Sequence, residues 1–175
     1  MDGRQTAIAG TFRPVFRAHP PLNGQLTAFA GAIQGRNIDG VLDTYRDLTK
    51  AAHGMRPRDL LIELFRMKCA AVGIRHFCAV ADEYRLHRSA WFGELVPEKV
   101  LASYNPIWED RGGVRVHSMH YRLETSSARR ETSAIPAKKR KMYKSRYQLL
   151  DTLADQMRVR LIQMQARDQP ALLAS

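Results

Sequence analysis

Gly54, Arg56 and Arg58 stand at the start of an amphipathic run, in His53-Gly54-Met55-Arg56-Pro57-Arg58-Asp59, with Lys50 about one turn before the glycine. A helix N-terminus has amides without intrahelical acceptors and the positive end of the dipole. Cationic side chains around such an end form a pattern that can hold a phosphate. The competing reading is that Arg56 and Arg58 are solvated or pair with local carboxylates such as Asp59. Further on, Asp82, Glu83, Tyr84 and His87 cluster. An imidazole at His87 could serve as a base near neutral pH and the Tyr84 phenol could protonate a leaving thiolate; against this stands the commoner case of exposed loop side chains.

A third concentration is Lys138, Lys139, Arg140, Lys141, Lys144 and Arg146, six cations in nine residues with no acid among them. They fall at the beginning of a predicted helix, where the dipole opposes positive charge. An external polyanion would offset that cost. Tyr143 and Tyr147, four residues apart, are rings on which bases or lipid edges could rest. Nucleic acid would require a continuous basic face, and a membrane surface an adjacent apolar one; the alternative is that the tyrosines are core and the lysines only solubilise. Cys78, at a strand centre, has no evident base to make it a nucleophile. His117 and His120, three apart on one predicted strand, are expected on opposite faces, so no metal site is expected there.

These residues need elements to position them. Leu60, Leu61, Leu64, Phe65, Ala71 and Val72 recur at helical spacing, with Asp59, Glu63 and Arg66 on the other face. Pro57 suits the first turn and Gly73 stops the run. Ile74 to Ala81 reads as a strand buried on both sides, and Leu26 to Ile33 as a second central strand. Between Ile38 and His53, Val41, Leu42, Tyr45, Leu48 and Ala52 make one helical stripe. Strand, helix, helix, strand predicts a parallel pair with a right-handed crossover. Thr11 to Phe16 is a candidate edge strand, Val114 to Glu124 alternates as a strand, and the longest helical pattern runs from Pro136 towards Pro170.

The chain has 175 residues with 28 Lys and Arg against 17 Asp and Glu, a formal charge of +11. This favours anionic partners without choosing among them. Cys69 and Cys78 read as small buried hydrophobes of a reducing compartment, which excludes a disulfide scaffold. The opening residues lack the apolar core of a signal peptide and no apolar run approaches the roughly 20 residues of a membrane span. The expected location is the cytoplasm, or the periphery of the inner membrane. The expected organisation is an N-terminal arm over 1–25, a single domain over 26–166 and a tail over 167–175.

Three segments carry a resemblance. Thr49 to Pro57, Tyr104-Asn105-Pro106-Ile107-Trp108-Glu109-Asp110-Arg111-Gly112-Gly113, and Ile135 to Asp151 resemble, in order and spacing, the bacterial family named after VirK and YbjX, long described as a domain of unknown function. The resemblance implies an association with the Gram-negative cell envelope, virulence and resistance to cationic antimicrobial peptides; no activity follows from it. Relatives carry a longer region before the Leu26 strand, and a Leu-Pro-rich stretch where this chain has His117 to Ser133. The strand, glycine loop, Arg-flanked helix and second strand are also similar in architecture to the pyrophosphate cradle of GCN5-related N-acetyltransferases.

The expected fold is therefore α/β or α+β: a small mixed sheet with a helical crossover and a long C-terminal helix. Two functions are carried forward. One is an acyltransferase holding the phosphates of acyl-CoA or an acyl carrier at Lys50, Gly54, Arg56 and Arg58, with Tyr84 and His87 on the acceptor side. The other is a non-enzymatic basic module that binds nucleic acid or anionic lipid through Lys138 to Arg146.

Overall fold

The computed structural model describes residues 10–15, 27–35, 39–85 and 103–172. Its elements are β1 (Gly10–Val15), β2 (Ala28–Gly35), α1 (Val41–Ala51), α2 (Pro57–Ala71), β3 (His76–Val80), α3 (Asn105–Asp110), β4 (Val114–His117), β5 (His120–Glu124) and α4 (Ala137–Leu172). The sheet runs β1-β2-β3-β5-β4. As expected, β2 and β3 are parallel, with Phe29 opposite Cys78, and α1 and α2 form the crossover. The other pairings are antiparallel, with β1 and β4 at the edges. This is the mixed α/β fold anticipated above.

α2 lies on one face of this sheet. Phe65 meets Phe77 edge-on with ring centroids 4.9 Å apart, and Ala28, Ala30, Ile62, Cys69, Ala79 and Leu123 complete a buried core around them. Burial on β3 therefore alternates: Phe77 and Ala79 are buried, whereas His76, Cys78 and Val80 are half-buried. That corrects the expectation of a strand buried on both sides. A short apolar run does not reveal how many faces are covered.

A second correction concerns Val114 to Glu124, which is a hairpin and not one strand. Ser118 and Met119 form the turn, and the backbone N–H of Met119 donates to His117 Nδ1 at 3.3 Å. His117 and His120 are register partners with rings 6.3 Å apart, not on opposite faces of a single strand. Burial, and then the charge of His117, hold His120 below its ordinary pKa. The two-residue turn shifts the alternation by a single position, a small break in an otherwise alternating stretch. The trace left is a change of parity: Val114 and Val116 are exposed on β4 while Tyr121 and Leu123 are buried on β5.

The Tyr104–Gly113 segment fastens the sheet. The Tyr104 hydroxyl accepts from the Ile33 N–H at 2.8 Å and donates to the Ile33 carbonyl at 2.6 Å. Trp108, fully buried, donates Nε1–H to the Val80 carbonyl at 2.9 Å. The chain then turns so tightly that a Cβ on Gly113 would lie 2.7 Å from the Trp108 carbonyl oxygen. α4 is seated on the α1–α2 turn through a smaller cluster of Ala52, Met55 and Leu150, with Met67 and Tyr147 packed against it.

In urea denaturation, Gly113→Ala should lower stability by about 1–3 kcal/mol through forced displacement of α3. Tyr104→Phe should cost a similar amount by leaving the Ile33 amide unpaired. Unchanged midpoints in both would show that this segment does not fasten the sheet.

Candidate anion-binding cleft

Asp59, Glu63 and Arg66 follow one another at i, i+4 and i+7 on α2, the face that amphipathic patterning assigns to solvent. All three are buried. α3 and the turn after it explain this: Arg111 pairs with Asp59 at 2.6 Å, and its carbonyl accepts from Arg66 Nη2 at 2.5 Å. Arg66 Nη1 pairs with Glu63 at 3.1 Å. With Arg66 only 4% exposed, its Nε has no hydrogen-bond partner. Burial lowers the Arg66 pKa; Glu63 opposes that, and the Arg111 charge adds to it. Arg66 and Arg111 are thus each paired with one buried carboxylate, Glu63 and Asp59.

Arg66 lines a cleft of about 460 Å³ between α2, the α3 turn, the loop after β5 and α4, together with Arg111, Arg130, Arg146, Tyr143 and Tyr147. Arg146 is oriented by donating Nε–H and Nη2–H to the His53 carbonyl at 3.2 and 2.9 Å and by resting against the Tyr143 ring. That carbonyl belongs to a residue with φ of 50°, a left-handed backbone that a histidine seldom adopts. The loop bearing Arg130 is held over α4 by the Arg129–Asp151 pair and by the Arg130 N–H donating to the Tyr147 hydroxyl at 3.1 Å. Among the described residues the Arg130 guanidinium forms no ion pair. The acids of the cleft are Glu63, Asp110 and Glu124, and Glu63 is already engaged. Four planar guanidiniums beside two phenols suit an oxyanion with several acceptor oxygens.

The residues singled out from the sequence are dispersed. Gly54 has φ of 78°, as its turn requires, but a Cβ there would meet Met142 Sδ at 3.0 Å and Arg146 Nη2 at 3.3 Å, so α4 lies over it. Arg58 Nε is 3.3 Å from Asp59 Oδ1, Lys50 pairs with Asp47, and Arg56 is exposed. None of these four lines the cleft. Arg140 donates to the Ile135 carbonyl at 3.1 Å. Lys138, Lys139, Lys141 and Lys144 are exposed and form no ion pair among the described residues. Of the six cations, only Arg146 lines the cleft. Tyr84 is 49% exposed and away from it, and His87 lies outside the described residues. Burial raises the pKa of Cys78, with Arg122 opposing it, so its thiol is held protonated; burial pushes the Cys69 thiol up to about 11. Among the described residues no cluster of His, Cys, Asp or Glu is placed to hold a metal, and no helix is long and apolar enough to cross a membrane.

Asp82, beside Tyr84, is structural. Burial pushes its carboxyl pKa up. Hydrogen bonds from Ser103, the Tyr104 N–H at 2.7 Å, the Asn105 N–H at 3.2 Å and Arg85 at 3.2 Å together bring it below the ordinary value. Its carboxylate thus receives the first amides of α3.

The architecture is that of a small mixed α/β protein whose central helix buries an ionic network beneath a polar cleft. Residues 14–159 match the family described as "Protein of unknown function (DUF535)", and the chain belongs to it, in agreement with the resemblance of its three segments. It is 34% identical over 134 residues to "Uncharacterized protein YbjX" of Escherichia coli (strain K12), covering 77% of this chain and 40% of that protein. An uncharacterized protein of Haemophilus influenzae is 33% identical over 128 residues, covering 70% of this chain and 40% of its own length. A shorter match, 32% identical over 53 residues, covers 30% of this chain and 24% of "Membrane protein LapB" of Mannheimia haemolytica. The chain thus spans about 40% of the length of the first two relatives. No solved structure matches it.

Arg66→Met should cost about 3–5 kcal/mol because Glu63 is left buried and unpaired, and Glu63→Leu added to it should restore much of that; additive losses in chemical denaturation would disprove the pairing. The depressed Asp82 pKa contributes stability that is present above the unfolded carboxylate value, about 3.9, and lost as pH falls through the folded value. Asp82→Asn should therefore lower stability at neutral pH and flatten its fall on acidification, read from melting temperatures across pH 2–6.

Proposed function

We propose that this chain is a binding module for a small anion, with a phosphate-bearing group as the favoured class, held in the cleft between α2 and α4. The observation that carries this reading is the cleft wall, which Arg66, Arg111, Arg130 and Arg146 share, the Arg130 guanidinium having no ion pair among the described residues. An oxyanion in a half-enclosed cleft is attracted to several guanidiniums at once, because screening there is weaker than in bulk water. The phenols of Tyr143 and Tyr147 add neutral donors. Through the family resemblance, this reading extends to a role in envelope maintenance, virulence and antimicrobial-peptide resistance.

An acyltransferase reading would place the donor's phosphates at the mouth of α2, where Arg58 pairs with Asp59 and Gly54 lies under Met142 and Arg146. That geometry supports it less well. A second reading, a surface for nucleic acid or the anionic face of the inner membrane, is favoured by the exposed lysines of early α4.

Thermal shift with pyrophosphate, acyl-CoA and a long polyanion separates the three. The expected result is that pyrophosphate raises the melting temperature of the unmodified protein, that Arg130→Ala abolishes the shift, and that alanines at Lys138, Lys139, Lys141 and Lys144 leave it in place. A shift that survives Arg130→Ala but not Arg56→Ala would move the site to the helix mouth. A response to the long polyanion alone, lost with the four lysines, would establish the surface reading instead.

A further inference from the structure

A second hollow, of about 320 Å³, adjoins the cleft on the far side of Arg66. The two share Glu63, Arg66, Ser126, Ser127, Tyr147 and Leu150, so they form one trough that passes the buried Glu63–Arg66 pair. Their linings differ. The cleft presents arginines, whereas the hollow adds an apolar strip, Met67 and Ala70 of α2 with Leu150 and Ala154 of α4, set among Thr125, Arg129, Asp151 and Arg158. Met67 and Leu150 belong to the apolar cluster that seats α4. Alanines stand at 70 and 154 along this strip, so a larger side chain at either position should narrow it.

The charged groups around this hollow are already neutralised by the protein. Arg129 is paired with Asp151, Arg158 with Asp155 at 3.2 Å, and Glu63 with Arg66. Arg66 stands at the junction with the cleft. An anion seated against Arg66 and Arg130 would therefore have apolar surface directly beyond it.

We infer that the ligand is amphipathic: a phosphomonoester or similar oxyanion with an aliphatic chain, its head in the arginine cleft and its chain along Met67, Ala70, Leu150 and Ala154. This rests on the anion-binding reading above and adds the chemistry of the rest of the ligand. Both hollows are of the size of small-molecule sites. Lipids and soluble alkyl or acyl phosphates share this chemistry.

Isothermal titration of the whole chain with inorganic phosphate and with butyl, hexyl and octyl phosphate, all below their micellar concentrations, tests the inference. Affinity should rise about two- to fourfold per methylene until the hollow is filled, following the transfer free energy of a buried CH₂. Ala154→Phe should abolish the rise while leaving inorganic phosphate affinity unchanged. Ala70→Phe, which obstructs from the opposite helix, gives an independent version of the same variant, and far-UV circular dichroism checks that each is folded. Dihexanoyl phosphatidic acid binding more tightly than hexyl phosphate would point to a lipid, and the reverse to a single-chain ester; both support an apolar seat. Phosphate binding with no dependence on chain length, or a chain-length gain that persists in both phenylalanine variants, would overturn the inference while leaving the anion site intact. If neither phosphate nor any ester binds, both readings fall.

Discussion

The Arg66 guanidinium is the junction on which the described structure turns. One nitrogen holds Glu63 within α2, another holds the carbonyl of Arg111 at the end of α3, and Arg111 reaches back to Asp59 one turn from the start of α2. A loop forty-five residues away in sequence is thereby fixed to the central helix. Buried ion pairs contribute little net stability compared with apolar packing, but removing one member leaves an expensive uncompensated charge. Such a network penalises alternative placements of α3 more than it stabilises the correct one.

Two of the three family segments have structural work that accounts for their composition. Tyr104, Trp108, Gly112 and Gly113 close the end of the sheet through the Ile33 and Val80 backbone and through a turn with no room for a side chain at 113. His53-Gly54 ends α1 in a left-handed conformation whose exposed carbonyl receives Arg146. The third segment, the start of α4, does both kinds of work: Met142 and Arg146 cover the turn, while Tyr143 and Tyr147 face the cleft. A conspicuous motif need not be a reactive one: of the cleft groups, Arg111, Tyr143, Arg146 and Tyr147 lie within the motifs, and Arg66 and Arg130 between them.

The elements with strong local signals were legible in the sequence. The stripes of α1 and α2, Pro57, Gly73 and the two central apolar runs were sufficient for the parallel crossover, because the periodicity of a helix and the short reach of its connections leave few alternatives. The hairpin was hidden because its two-residue turn, Ser118-Met119, interrupts alternation without an Asn-Gly or Pro-Gly signal. The site was hidden for a different reason. Asp59, Glu63 and Arg66 look like a solvated face, and only the fold brings Arg111 and α4 over them. Charge density drew attention to Lys138 and its neighbours, yet what distinguishes the cleft is burial, which composition does not encode. The acid-acid-base stripe at i, i+4, i+7 was the available trace.

α4 is seated between Met142 and Leu150, and beyond Leu150 none of its described side chains is buried. At a rise of 1.5 Å per residue, Ala166 is about 24 Å past that seat. The turn that forms the seat also supplies Tyr143, Arg146 and Tyr147 to the cleft wall. Geometry alone makes the free part of the helix a long arm: a tilt of about ten degrees at the wall would displace Ala166 by about 4 Å.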